Sequence, residues 1–305
     1  MRLITACAAS VVLVVGVCAE PTAFRVQVSG KGPAMILIPG MSSSGDTWKS
    51  TVAHYQDRYT CHVVTLAGFA GVPPAQGPPL ASARDQLAAY IQAQHLDKPI
   101  LVGHSLGAAI AMDLAARHPA LVGPLVIVDG LPFLAAAWFR VDSAEAAKPM
   151  IDAMRAYQAA QTREQYEAYV RSHASTKFMV TSTADLDLLT EWGLRSDPKT
   201  VADAMAELLG TDLRPALASI ASPTLLLGTW IGLRDQLVPM QIPLTKDAVV
   251  ETFTRQYASL PRLHFAISDR ARHFVMFDDP AWFFDQVDAF LSDPQGATAV
   301  RGFTR

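Results

Sequence analysis

The chain predicts an α/β fold: a mostly parallel central sheet with helices on both faces, interrupted by a helical insertion. Three observations carry this. Short apolar runs alternate with helix-length segments through residues 24–130. Between about 131 and 215 only helical patterns occur. The strand–helix alternation then resumes over 216–292.

The elements follow in order. Residues 24–28 alternate as a half-buried strand, and Gly30-Lys31-Gly32-Pro33 turns the chain. Residues 34–38 (AMILI) are continuously apolar, as in a strand buried on both faces, and Pro39-Gly40 ends them. A second such run covers 62–66 and breaks at Ala67-Gly68. Ser82 and Asp85 form a capping-box pattern before a helix that places Leu87, Tyr90 and Ile91 on one face. A short apolar run at 99–102 precedes a helix over 106–118, which Pro119 stops. A strand over 125–128 ends at Asp129-Gly130. The insertion holds helical segments at 144–161, 163–172, 185–194 and 200–209. Strands at 223–227 and 263–267 follow, and Asp279-Pro280 opens a last helix to about 291. Residues 293–305 read as a flexible tail.

Composition excludes several classes of function. Of 305 residues, 50% are hydrophobic and 17% charged, too apolar for a disordered chain. The net charge of −3 and the lack of a Lys/Arg run argue against a nucleic-acid partner. No His/acid spacing such as H-E-x-x-H suggests a metal, and no Gly-rich phosphate loop suggests a nucleotide, so no cofactor is expected.

Residues 1–19 read as a secretory signal peptide. Arg2 precedes an apolar run over 3–17, and Val17-Cys18-Ala19 offers small residues before Glu20. Cleavage there would export the protein to the periplasm or beyond, with no stable membrane insertion. An uncleaved N-terminal anchor is the alternative. Of Cys7, Cys18 and Cys61 only Cys61 would remain, read as a buried small hydrophobe.

The chemistry centres on Gly103-His104-Ser105-Leu106-Gly107, with a strand before it and a helix after it. A G-x-S-x-G turn in that setting exposes the serine hydroxyl above the sheet at a helix N-terminus. With Ile38-Pro39-Gly40-Met41, Leu66-Ala67-Gly68-Phe69-Ala70-Gly71 and Arg272-His273-Phe274 through Asp278, it makes the sequence resemble the α/β-hydrolase superfamily. The resemblance covers about 24–130 and 216–292, and it implies a helical cap for 131–215.

The resemblance and the side-chain chemistry together imply a triad. Ser105 is the nucleophile, and His273, in a loop after the last strand, is the base that activates it. The acid is expected at Asp235, which follows the 223–227 strand and precedes Val238-Pro239 as in the family's Gly-x-x-Asp-x-x-x-Pro stretch. The step from Gly228 is longer than usual, so Asp129 is the alternative acid; an ion pair with Arg234 is the other fate for Asp235. Met41 and Leu106 are expected to supply oxyanion-hole N–H groups. Pro39 stands where the family usually has a loop-bracing histidine, and Ser42, Ser43 and Ser44 could add a hydroxyl. Phe133, Trp138, Phe139 and Trp192 are candidates for an apolar substrate lining, with core packing as the alternative.

These residues imply a serine esterase acting on a small-molecule ester with a small or medium apolar acyl group. Lactone, amide or C–C hydrolysis could use the same triad. A non-catalytic binding protein on the same scaffold is the alternative of another class.

Overall fold

The computed structural model describes residues 22–295. The signal segment and the tail beyond 295 lie outside the described residues. The first half of the chain forms β1 (Phe24–Gly30), β2 (Ala34–Ile38), α1 (Lys49–Tyr55), β3 (Thr60–Leu66), α2 (Pro79–Ala93), β4 (Ile100–His104), α3 (Leu106–Arg117) and β5 (Leu125–Val128). Five helices then run without a strand: α4 (Leu134–Phe139), α5 (Ala144–Ala159), α6 (Arg163–Arg171), α7 (Thr183–Leu194) and α8 (Pro198–Gly210). The chain ends with β6 (Thr224–Gly228), α9 (Ile231–Leu237), α10 (Lys246–Gln256), β7 (Leu263–Ile267), α11 (Val275–Asp278) and α12 (Pro280–Ser292).

The strands form one seven-stranded sheet in the order β1-β3-β2-β4-β5-β6-β7. Only β1 runs antiparallel, beside β3; the other neighbours are parallel. The continuous apolar runs of β2, β4, β5 and β6 follow from burial on both faces. Ile36, Ile38, Leu101, Ile127 and Leu226 pack on one side with α2 and α3. Their neighbours in sequence, Met35, Leu37, Val102, Val126 and Leu227, pack on the other with Phe283, Val287 and Phe290 of α12. The parallel strands all point their C-terminal ends to one edge, and open α/β sheets bind ligands at that edge.

Two expectations change here. Helix α2 begins at Pro79, three residues before Ser82, and no side chain of its own segment caps it. Its first free N–H groups, of Leu80 and Ala81, donate instead to the carboxylate of Glu207 on α8, at 2.9 and 2.8 Å. A tertiary cap has replaced the local one. The expected helix at 185–194 starts earlier, because Ser182 caps it by accepting from the Asp185 N–H.

Helices α4, α5 and α8 share a small core of their own, made by Phe133, Ala135, Ala147, Ile151, Ala206 and Leu209, whereas Leu189 and Trp192 of α7 join the main core. Cys61 is buried as a free thiol. Among the described residues, no helix is long and apolar enough to cross a membrane.

Candidate active site

Ser105 sits between β4 and α3 with φ 53° and ψ −115°. A serine with positive φ costs of order 1–3 kcal/mol, so its surroundings must hold it there. Its N–H donates to the Val128 carbonyl at 2.9 Å, which carries the β4–β5 ladder into the turn. Gly107 then lets α3 press against the end of β2. A Cβ at Gly107 would lie 2.3 Å from the Ile38 carbonyl oxygen and 2.6 Å from that of Pro39. Ser105 therefore stands at the N-terminus of a helix whose first N–H groups have no intrahelical acceptor.

His273 lies in the loop between β7 and α11. The Ser268 hydroxyl gathers the N–H groups of Arg270 and Ala271 at 3.1 and 2.9 Å, turning the chain sharply after β7. Asp278 accepts the Arg272 N–H at 2.8 Å. The Phe274 N–H donates to the Met179 carbonyl at 3.1 Å. Asp278 also takes the N–H and hydroxyl of Thr181 at 2.8 and 2.7 Å, so the insertion is tied directly to this loop.

The acid facing His273 is Asp129. His273 Nδ1 donates to Asp129 Oδ2 at 2.6 Å. Asp129 follows β5 with φ 47°, a conformation that aspartate tolerates better than most residues. Its N–H donates to the Leu227 carbonyl at 2.8 Å. The Thr229 N–H and hydroxyl donate to its two oxygens at 2.9 and 2.8 Å. A carboxylate with three donors has a fixed orientation. Tyr257 braces the next residue: its hydroxyl donates to the Gly130 carbonyl at 2.8 Å. Burial, and the Asp129 charge nearby, push the Tyr257 phenol well above its ordinary pKa, so it stays a donor.

Asp235, the expected acid, faces elsewhere. After β6 the chain takes Thr229 and Trp230 and then winds into α9, which carries Asp235 away from His273. Its carboxylate pairs with Arg234 on one oxygen, at 2.7 Å, and with Arg272 on the other, at 3.0 Å. Arg272 also donates to the Val180 carbonyl at 2.8 Å. Asp235 thus helps to fasten α9, the insertion and the His273 loop to one another.

The loop after β2 carries Met41. The Ser43 N–H donates to the Gly40 carbonyl at 3.3 Å, and its hydroxyl to the Met41 carbonyl at 3.2 Å. Ser44 accepts the Asp46 N–H at 3.1 Å as a helix cap. Two of the three serine hydroxyls are thus committed to shaping the loop. Ser42 stands beside the Tyr166 phenol of α6; burial pushes that phenol up to about 12 against the lowering effect of Arg163 and Ser42.

The four insertion aromatics do not form one lining. Phe133 is fully buried, with its backbone N–H and carbonyl both bonded to Gln256 at 3.1 Å. Trp192 is 2% exposed and packs in the core beside Phe274 and Met276, with Phe277 6.5 Å away between ring centroids. Phe139 is half-buried against the insertion core. Trp138 alone of the four is open, at 54%. Apolar size marks all four in the sequence, but only the packing separates core from surface. Sequence reasoning also missed Thr229 and Gln256, which carry no local pattern.

A model of the alpha/beta hydrolase family matches residues 35–286. A pimeloyl-[acyl-carrier protein] methyl ester esterase of Citrobacter koseri is 30% identical over 230 residues, 73% of this chain and 84% of that protein. Two solved structures show the same fold. An enol-lactonase from Burkholderia xenovorans superposes with TM-score 0.68 at 15% identity, over 88% of this chain and 96% of that one. A thermophilic esterase from Thermogutta terrifontis gives 0.67 at 19% identity, over 90% and 94%.

Proposed function

The chain belongs to the alpha/beta hydrolase family, and we propose that it is a serine esterase using Ser105, His273 and Asp129. The observation that carries this reading is the 2.6 Å bond from His273 Nδ1 to Asp129, which leaves Nε2 as the basic nitrogen. In the reaction, Nε2 takes the Ser105 proton as the hydroxyl oxygen attacks the ester carbonyl. The N–H groups of Leu106 and Met41 receive the developing oxyanion. The resulting imidazolium is held by the Asp129 charge and passes its proton to the departing alcohol. Water, activated by the same nitrogen, then releases the acid from the acyl-serine.

The substrate proposed is a small-molecule ester with a small or medium apolar acyl group. The related methyl ester esterase supports the ester bond, and the exposed Trp138 of the insertion supports the apolar acyl group. Helices α4 to α8 are proposed as a cap over the site, tied to it through Met179, Thr181 and Asp278. The test is a screen of p-nitrophenyl esters of graded chain length together with lactones, using wild type and Ser105→Ala. Ester turnover that Ser105→Ala abolishes supports the reading. Preferential lactone turnover would reassign the substrate, and no turnover at all would count against catalysis.

A further inference from the structure

A histidine of the serine elbow reaches the loop after β2. His104 is the last residue of β4 and is fully buried. Its Nε2 donates to the backbone carbonyl of His273 at 3.0 Å. Its ring lies 4.6 Å from the His273 ring and 4.4 Å from Phe274, between centroids. Its other edge meets Gly40. A Cβ at Gly40 would come within 2.9 Å of His104 Nδ1 and 3.3 Å of the Ser105 Cβ. The side chain next to Ser105 therefore touches both the loop that presents the base and the loop that leads to Met41.

We infer that His104 is a positioning residue that couples the oxyanion loop to the His273 loop through the serine elbow. The inference rests on the serine-hydrolase reading above. A neutral imidazole has one N–H, and the bond to the His273 carbonyl uses it at Nε2. Nδ1 then carries a lone pair and has no hydrogen-bond partner among the described residues. Burial, and after it the neighbouring His273, hold the His104 pKa well below its ordinary value, so the ring remains uncharged. That neutrality matters for the reaction, because a second cation beside His273 would oppose the imidazolium that Ser105 attack creates. The bond also fixes the backbone of His273 itself. The other anchors of its loop act on the neighbours, through Ala271, Arg272 and Phe274.

Steady-state kinetics on an ester substrate test this, with active sites counted by fluorophosphonate labelling. His104→Phe fills the site but cannot donate. His104→Gln places an amide N–H near the Nε2 position, and His104→Asn offers the same chemistry on too short a stem. The expected result is a fall in kcat of about tenfold or more for Phe and Asn, with KM within about twofold, and recovery by Gln to within about threefold. If His104→Phe does not fold, the Gln and Asn pair carries the same contrast. Equal kcat in Gln and Asn, or loss expressed in KM alone, would overturn the inference. Failure of wild type to label at Ser105 would instead remove the reading on which it rests.

Discussion

The carboxylate of Asp129 lies 2.6 Å from Nδ1 of His273, across 144 positions of sequence. Two parallel strands make the meeting possible. Asp129 follows β5, and Thr229, one residue past its neighbour β6, closes over the carboxylate with two hydrogen bonds. His273 approaches from the loop after β7, the next strand along the sheet.

Replacing Asp129 with Asn is expected to leave the fold intact and to lower kcat by about 10⁴-fold, the effect of the same change in a serine protease. Asp235→Asn is expected to change kcat by less than about tenfold, since it removes the ion pairs with Arg234 and Arg272 and leaves the imidazole partner in place. Parallel kinetics of the two variants check this. A larger loss at Asp235 would reverse the assignment.

Gly107→Ala introduces a methyl group 2.3 Å from the Ile38 carbonyl oxygen and 2.6 Å from that of Pro39, both backbone atoms and not a flexible side chain that could yield. The loop after β2 must shift or α3 must tilt. Thermal unfolding is expected to show a loss of more than about 2 kcal/mol, in the range of overpacked and strained sites. Activity should fall even in the protein that remains folded. A variant as stable and active as wild type would contradict the close approach.

Stability should fall as the medium is acidified through the histidine range. His104 has a folded pKa held down chiefly by burial, so the unfolded chain binds its proton first. Stability from this residue is complete above the unfolded value of 6.5 and is lost as pH drops below it, with a slope of at most about 1.4 kcal/mol per pH unit. His62, also lowered by burial, adds to the same window. Urea titrations between pH 7.5 and 5 check this. His104→Gln should flatten the dependence, leaving the His62 share, and an unchanged slope would refute it.

The insertion aromatics should separate by burial. Trp192→Ala empties a core position and is expected to cost about 3–5 kcal/mol. Trp138→Ala removes a side chain that is 54% exposed and should change stability by less than about 0.5 kcal/mol. If Trp138 lines the substrate path, its loss shifts acyl chain-length preference. Unfolding curves and the ester screen on the two variants read both effects.

Much of the architecture was legible from period and punctuation. The AMILI run of β2 announces a strand buried on both faces, and Pro119 stops α3 where it should. The start of α2 was not legible, because its cap is Glu207 on a distant helix. Ser105 and His273 are marked by local motifs, since the elbow and the turn after β7 are built from adjacent residues. The acid is different in kind. Asp235 has the expected neighbours in sequence, Val238 and Pro239, whereas Asp129 has only a strand end and Gly130. What decides between them is where α9 points after Trp230 and which strand end Thr229 covers. Both are long-range facts with no local signature.

A nucleophilic Ser105 activated by His273 and Asp129 reacts with organophosphorus probes. The most direct measurement is fluorophosphonate labelling of the folded protein, followed by peptide mass mapping. One adduct is expected, on the peptide containing Ser105, absent from Ser105→Ala and slowed by orders of magnitude in Asp129→Asn. No adduct on folded wild type, or an adduct on a different residue, would contradict it.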